Sequence, residues 1–383
     1  MKNTKLYFSS LPFILLFIFS CTSKIEKSLD FTTVDRMMEQ AVADSVFPGA
    51  ALLFGTDKQI LYSKGFGHFT YDKNSLETKT NSIFDLASVS KVVGTTSAAM
   101  ILVQEGKLNL DQKVITYLPA FNNNGKENIT IRNLLLHNSG LAPFKKYYDE
   151  FTNADEVIND IMNLPLNNPP GEKFVYSDLG MITLQKVIEE ISGKSLDVFL
   201  QEKLFSKLEM NQTMYNPSND VKKFCVPTEL DDFWRMRLLQ GEVHDERAYM
   251  LNGVAGHAGL FSTVEDLSKF VMMLMNKGEY KGQQIINPKI IDEWTTRQSE
   301  ESDRGIGWDT KAINGYSSAG HYLSKDSFGH TGYTGTSIWV DKENKLFVIF
   351  LSNRVHPTRA NTKISEFRPI IHDAIFEAVF GKK

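Results

Sequence analysis

Phe84-Asp85-Leu86-Ala87-Ser88-Val89-Ser90-Lys91 leads directly into residues 92–104, an apolar helical stretch that Gly106 stops, and the fold turns on this junction. Ser88 and Lys91 stand three apart, which on a helix places them on one face, a turn from each other. Ser88 falls at the helix N-terminus, where the positive end of the dipole favours negative charge developing on oxygen. A Lys91 buried beside it has a lowered pKa and can take or pass the Ser88 proton. Ser-x-x-Lys alone is also a common helical spacing in which the Lys is merely solvated, so the junction needs support from elsewhere in the chain.

Two further stretches supply it. Pro169-Pro170-Gly171-Glu172-Lys173-Phe174-Val175-Tyr176-Ser177-Asp178-Leu179-Gly180 is a Pro/Gly turn that delivers Tyr176, Ser177 and Asp178 to the mouth of the next helix. A Tyr close to a Lys ammonium can serve as a base because the cation stabilises phenolate; the alternative is a Tyr that only caps and packs. Phe328-Gly329-His330-Thr331-Gly332-Tyr333-Thr334-Gly335-Thr336 precedes a strand. Its glycines let a strand edge approach a substrate closely. Such an edge can pair with a peptide-like acyl chain and supply an oxyanion N–H; the alternative is a Gly-rich loop with a structural His330.

Outward from these stretches, residues 32–45 carry Val34, Met37, Met38, Ala41 and Val42 at helical spacing, and Pro48-Gly49 ends the pattern. Residues 50–54 and 59–63, joined by Gly55-Thr56-Asp57-Lys58, predict a hairpin. Helices follow over 131–136, over 181–191 with Gly193 as the stop, and over 264–275, where Glu265 and Asp266 suit the dipole of the first turn. Strands return at 305–309, 336–340 and 346–351, with Lys342-Glu343-Asn344 as a turn, and 363–379 is a closing helix. The two ends are β-rich and the middle α-rich. The simplest architecture is α+β: one antiparallel sheet built from both termini, flanked by helices, with a mostly helical region inserted. The expected divisions are a leader at 1–20, a tether at 21–31 and one catalytic domain at 32–383, its sheet part about 32–83 and 300–383 and its helical part about 84–299.

In this order, Ser88-x-x-Lys91, Tyr176-x-Asp178 and His330-Thr331-Gly332 resemble the serine β-lactamase and penicillin-binding protein superfamily. The branch is the class C β-lactamase-like one, which also holds D-alanyl-D-alanine carboxypeptidases and esterases. Leu135-Leu136-His137-Asn138-Ser139-Gly140-Leu141 and Gly253-Val254-Ala255-Gly256-His257-Ala258-Gly259-Leu260-Phe261-Ser262-Thr263 match it too. Gly241-Glu242-Val243-His244-Asp245 is similar to members related to penicillin-binding protein 4B. The resemblance covers roughly residues 32–380 and implies a β-lactamase/transpeptidase-like fold and a serine hydrolase. It implies Ser88 as the acylated nucleophile, Lys91 as the aid to its deprotonation and Tyr176 as the general base. The amides of Ser88 and Tyr333 form the implied oxyanion hole, and His330, Thr331, Gly332 and Asp178 line the implied substrate site. This chemistry needs no metal and no cofactor. The implied substrate is a small peptidoglycan-like amide, as for a D,D-peptidase or a β-lactamase, or alternatively an ester on an acylated or carbohydrate-linked molecule. A non-catalytic penicillin-binding-like receptor is the rival reading; it predicts erosion of Ser88, Lys91 or Tyr176, and all three are present.

Two departures bear on the substrate. Asp178 stands where the family usually has Asn; an ionised carboxylate only accepts hydrogen bonds, and is expected to repel an acceptor oxygen and any carboxylate of a ligand. His330 stands where Lys is frequent, which removes a permanent positive charge. His137 and His257, in Gly-flanked loops, are expected to bond backbone. His244-Asp245 is a catalytic pair on paper, for which a structural or cleft-lining role is expected. Phe233, Trp234, Arg235 and Arg237 are left open between lining the cleft and packing.

The start of the chain reads differently. Lys2 and Lys5 precede an apolar run over 11–19 that is too short to span a bilayer comfortably and has the shape of a signal peptide. It ends Ile18-Phe19-Ser20-Cys21, which resembles a bacterial lipobox and implies lipidation of Cys21; cleavage nearby without lipid is the alternative. The expected product is an exported lipoprotein of the cell envelope, held to a membrane by its N-terminal lipid, at the outer membrane or the periplasmic face. Cys21 and Cys225 are the two cysteines; with Cys21 lipidated no disulfide forms, and stability must come from the core. The composition, 42% hydrophobic and 23% charged, excludes a disordered or polytopic chain. A net charge of −4 without a basic run excludes a phosphate-tracking groove, so nucleic acid is not an expected partner.

Overall fold

The structure is a computed structural model that describes residues 1–3, 5, 29–299 and 302–382. The Cys21 lipidation site and the apolar leader lie outside the described residues.

The central strand, Gly49–Thr56, lies between Ile60–Gly67 and Leu346–Ser352, and all the pairs are antiparallel. Beyond Leu346–Ser352 the sheet continues through Ser337–Asp341 and Phe328–Thr331 to the short edge strand Asp309–Thr310. One six-stranded antiparallel sheet is therefore built from the two ends of the chain. Gly49–Thr56 and Leu346–Ser352 are buried along nearly their whole length, because both faces of the sheet are covered. Successive side chains point to opposite faces. Leu52 and Phe54 join Val348 and Phe350 under the helices Thr32–Ala43 and Ile364–Phe380. Ala51 and Leu53 join Phe347 and Ile349 in the larger core, under the helix Val264–Met275. Each fully buried aliphatic or aromatic chain in these layers contributes roughly 1.5–3 kcal/mol.

Thr263 caps Val264–Met275, its side chain accepting from the Asp266 amide at 3.1 Å, and Asp266 lies in the first turn. Gly193 closes Asp178–Ser192 with a left-handed φ of 64°, a conformation that costs a residue with a Cβ. The helix after Ser88 begins with a π-helical segment, Lys91–Thr96, before the α-helical Ser97–Gln104. Both are buried almost throughout, so Lys91 starts a core helix.

The strand expected at 305–309 is a bend, and pairing begins only at Asp309. The backbone there is spent on helices: the Ile306 amide donates to the Trp294 carbonyl at 2.8 Å and the Gly307 amide to the Leu135 carbonyl at 3.1 Å. Gly307 has a φ of 81°, and a Cβ on it would lie 2.4 Å from Thr96 Oγ1. This close approach, and not a ladder, explains the glycine. Cys225 is a buried free thiol, and burial pushes its pKa up to about 12, which makes it inert.

Candidate active site

Ser88 sits in a turn immediately after Ala87, whose φ of 46° is left-handed. That conformation costs energy for a residue with a Cβ, so the surroundings must hold it. They do so through Asp85 and residues of two distant segments. Asp85 Oδ1 accepts from the Ala87 amide at 2.8 Å, and Oδ2 accepts from the His244 amide at 2.7 Å. Thr334 Oγ1 donates to the Asp85 carbonyl at 2.8 Å, and Thr336 Oγ1 to the Leu86 carbonyl at 2.9 Å. A Cβ on Gly332 would lie 2.4 Å from the Leu86 carbonyl oxygen, so only glycine allows this approach. The loop that follows His330 is thereby laced to the chain that bears Ser88. The amides of Ser88 and Tyr333 donate to no partner among the described residues. Two free amides on adjoining segments can serve an oxyanion.

Lys91 is 1% exposed, not solvated. Its Nζ lies 3.0 Å from Ser88 Oγ, 2.9 Å from the His257 carbonyl oxygen and 2.8 Å from Asp178 Oδ1. An ammonium has three donors, and all three are engaged. Nζ is also 4.9 Å from the centre of the Tyr176 ring. Burial pulls the Lys91 pKa down, but Asp178 foremost, with the Tyr176 hydroxyl, outweighs it, and the net direction is up. The expected depression does not occur, because Asp178 holds the proton on Lys91. Burial pushes the Tyr176 hydroxyl up as well, further than Lys91 and Arg304 pull it down. At rest the site therefore holds an ammonium and a neutral phenol, not a phenolate stabilised by a free cation.

Tyr176 is positioned by His137. The His137 Nδ1 accepts from the Ser177 amide at 3.1 Å, its carbonyl accepts from the Val175 amide at 2.7 Å, and its ring lies 4.6 Å from the Tyr176 ring. Ser177 caps the next helix, its Oγ accepting from the Gly180 amide at 3.0 Å. The reading of His137 as a backbone-bonding residue holds. His257 differs: it gives its carbonyl to Lys91, while its ring Nε2 bonds Asp245 at 2.9 Å.

Asp178 is not a bare repulsive carboxylate. It pairs with Lys91 through Oδ1 and with Arg247 through Oδ2, the latter at 3.2 Å. Burial raises its pKa, but Lys91, His257 and Arg247 overcome that and the net direction is down. Asp245 bonds both Arg247 and His257, and caps the helix Glu246–Met250 by accepting from the Ala248 amide at 2.9 Å. These contacts with His257 and Arg247 hold Asp245 well below the ordinary carboxylate range in spite of burial. His244 does not pair with Asp245; its Nε2 bonds Glu229 at 3.0 Å. The ligand atoms of Asp178, Asp245 and His257 lie within 4.8 Å of one another. A metal ion there would have to displace Lys91 and Arg247, whose charges already balance the two carboxylates.

A depressed carboxylate contributes stability that is present above its unfolded pKa, about 3.9, and is lost as the pH falls through the folded value. Asp245→Asn is therefore expected to cost about 3 kcal/mol at pH 7 by urea unfolding, because Arg247 loses its main anion. The difference from the wild type closes as the pH falls below about 4. An undiminished difference at pH 3 would show that the effect is not electrostatic.

His330 is 2% exposed, and its Nδ1 donates to the Thr331 carbonyl at 2.7 Å. That leaves Nε2 unprotonated, buried and without a partner among the described residues, with the ring 6.1 Å from the Tyr176 ring. Burial lowers the His330 pKa to about 4, so it is neutral at pH 7. Arg304 stacks 5.1 Å from the Tyr176 ring and is paired with Asp309 at 2.5 Å. Phe144, Phe174 and Tyr333 are large exposed aromatics at this site. Arg235 belongs to the scaffold, buried against Asp231 and the carbonyls of Val243 and His244. Trp234 packs between Tyr148 and Tyr249.

The structure thus gathers Ser88, Lys91, Tyr176, Asp178, His330 and the loop through Tyr333. It adds Asp85, Thr334, Thr336 and Arg247, for which no role is expected from the motifs, and it gives Asp245 and His257 partners other than the expected ones. Comparison with known proteins finds relatives over most of the chain. A relative 34% identical over 361 residues, covering 84% of this chain and 80% of its own length, is the N-acetylmuramyl-L-alanine amidase of Bacillus subtilis (strain 168). Another, 31% identical and covering 84% and 82%, is an Escherichia coli (strain K12) protein whose name assigns it provisionally as a D-alanyl-D-alanine carboxypeptidase. The fold matches the octameric penicillin-binding protein homologue from Pyrococcus abyssi with a TM-score of 0.71 at 23% identity, over 93% of this chain and 78% of that one. The Beta-lactamase family model matches residues 34–368, and the chain belongs to that family.

Proposed function

We propose that the protein is a cell-envelope serine amidase that opens an amide of a muramyl-peptide-like substrate through an acyl-enzyme on Ser88. The observation that carries this reading is the 3.0 Å contact between Ser88 Oγ and a fully buried Lys91 Nζ, at a strained turn beside two free amides. Ser88 Oγ attacks the acyl carbon, and the amides of Ser88 and Tyr333 hold the developing oxyanion. The hydroxyl proton leaves through the Lys91–Tyr176 pair and goes on to the leaving nitrogen, so that a neutral amine departs. Water then gives a proton to the same pair and attacks the acyl carbon, which frees the acid and restores Ser88. Amide and water become acid and amine, with no other reactant.

The substrate class follows from charge. A D-alanyl-D-alanine terminus carries a carboxylate beside the scissile bond. His330 is neutral at pH 7, and Lys91, Arg247 and Arg304 are each already paired with a carboxylate, so none of these groups offers an unpaired charge to that carboxylate. An amide between a muramyl acyl group and a peptide amine makes no such demand, and the 34% identical amidase supports this choice. Export by the leader and lipidation of Cys21 belong to the same proposal and rest on the sequence of residues 1–21. The test is to incubate the protein with N-acetylmuramyl-L-alanyl-D-isoglutamine and, separately, with a blocked tripeptide ending in D-Ala-D-Ala. Release of the dipeptide amine is expected. Release of D-Ala alone makes the protein a carboxypeptidase and overturns the amidase reading.

The working base is the Lys91–Tyr176 pair with one proton fewer than at rest. Both pKa values are raised, so kcat/KM is expected to climb with pH through neutrality. Asp178→Asn removes the anion that holds the proton on Lys91 and leaves Arg247 nearby. The Lys91 pKa falls, and the rising limb moves to lower pH by about 1 unit or more. A limb that stays in place removes Asp178 from the control of Lys91.

A further inference from the structure

We propose that Arg247 grips the acyl half of the substrate, its Nη1 amino group donating to an amide carbonyl where related sites use the Asn that Asp178 replaces. The inference rests on the Ser88 acyl-enzyme reading and names a specificity-determining contact within it.

Arg247 lies on Glu246–Met250, three contacts from the nucleophile: Arg247 to Asp178, Asp178 to Lys91, Lys91 to Ser88. Its Nε is 3.3 Å from Asp245 Oδ1, and its Nη2 bonds Asp245 Oδ2 and lies 3.2 Å from Asp178 Oδ2. A guanidinium offers five N–H groups, and these contacts use three. The two on Nη1 have no partner among the described residues, and Nη1 is not among the sealed atoms that lack one. The side chain is 17% exposed, and Phe144, 55% exposed, lies across it with Cζ 5.2 Å from the ring centre. The guanidinium is therefore held still by two carboxylates, with Nη1 unengaged on a side chain that is partly exposed.

Two arguments pick a carbonyl as its ligand. Lys91 and Arg247 balance Asp178 and Asp245, so a carboxylate from the substrate would find no uncompensated cation. A carboxylate also prefers the two-nitrogen edge of a guanidinium. Each such edge of Arg247 includes the Nε or Nη2 already engaged. A lone, charge-strengthened N–H suits a single acceptor oxygen. Asp178 has no donor to offer, so its Asn-like duty passes to the cation it anchors.

The test uses two p-nitrophenyl esters with the same leaving group, those of N-acetylglycine and of pentanoic acid. Their acyl chains match in length, but only the first has an amide carbonyl. In Arg247→Met the kcat/KM ratio of the first to the second is expected to fall about tenfold or more, the effect of one lost charged hydrogen bond. A role only in holding Asp178 lowers both substrates together and leaves the ratio alone; a ratio within about twofold of the wild type overturns the proposal. Arg247→Lys keeps a cation beside both carboxylates but withdraws the amino group, so the same fall is expected in a variant that folds even if Arg247→Met does not. A wild type that neither ester acylates at Ser88 overturns the acyl-enzyme reading itself, a result distinct from an unchanged ratio.

Discussion

Ser88→Ala is expected to lower kcat on any accepted amide or ester by about 10^4-fold or more, and to abolish covalent labelling by a fluorophosphonate. The size follows from what remains. The free amides of Ser88 and Tyr333 and the charged cluster still bind and polarise a carbonyl, but the oxygen that becomes the acyl ester is gone. Water would have to replace it without the entropy advantage of a tethered nucleophile. The scaffold should not notice. Among the described residues the Ser88 side chain makes one hydrogen bond, accepting from Lys91 Nζ, which keeps two other partners. Stability is expected to change by no more than about 1 kcal/mol, and thermal unfolding separates lost chemistry from lost fold. A mass spectrum showing adduct on Ser88→Ala, or a kcat within tenfold of the wild type, would put the nucleophile elsewhere.

What the sequence could reveal of this site divides along a physical line. Ser88, Lys91, Tyr176 and His330 lie in short motifs whose spacing already implies a shared helix face, a turn into a helix and a strand edge. The partners that set their charge states are remote. Lys91 meets the His257 carbonyl across 166 positions, and His244 meets Asp85 across 159, and no periodicity records such contacts. Asp178 was read as a departure because Asn was the family's residue. Its compensation by Arg247 is a contact between segments far apart in the sequence, and a single chain carries no sign of it. Asp245 caps Glu246–Met250, and the same carboxylate also serves His257 and Arg247, a double duty that no motif records. The sheet built from both ends was legible because buried strands of β-branched and aromatic residues announce themselves. The bend at 305–309 misled because its apolar texture reports burial, whereas its glycines report the approach to Thr96 and Trp294.

Lys91→Met is the sharper test of how this site handles protons. Met matches the length of Lys and is apolar, so it can fill the buried volume while removing Nζ. Loss of the Lys91 half of the Lys91–Tyr176 pair that takes the Ser88 proton is expected to lower kcat by about 10^3-fold or more. Folding responds separately. The His257 carbonyl and Asp178 Oδ1 lose a donor, which destabilises, while the desolvation of a buried ammonium no longer has to be met. Arg247 still faces Asp178, so the carboxylate is not left alone. The net cost is expected to be about 1–3 kcal/mol, below that of a wholly broken buried pair. Adding Asp178→Asn to Lys91→Met removes the anion that lost its ammonium. Stability is expected to recover in the double variant and activity is not. If activity recovers with stability, Lys91 acts only as a structural counter-charge to Asp178, and the proton must leave Ser88 by another route.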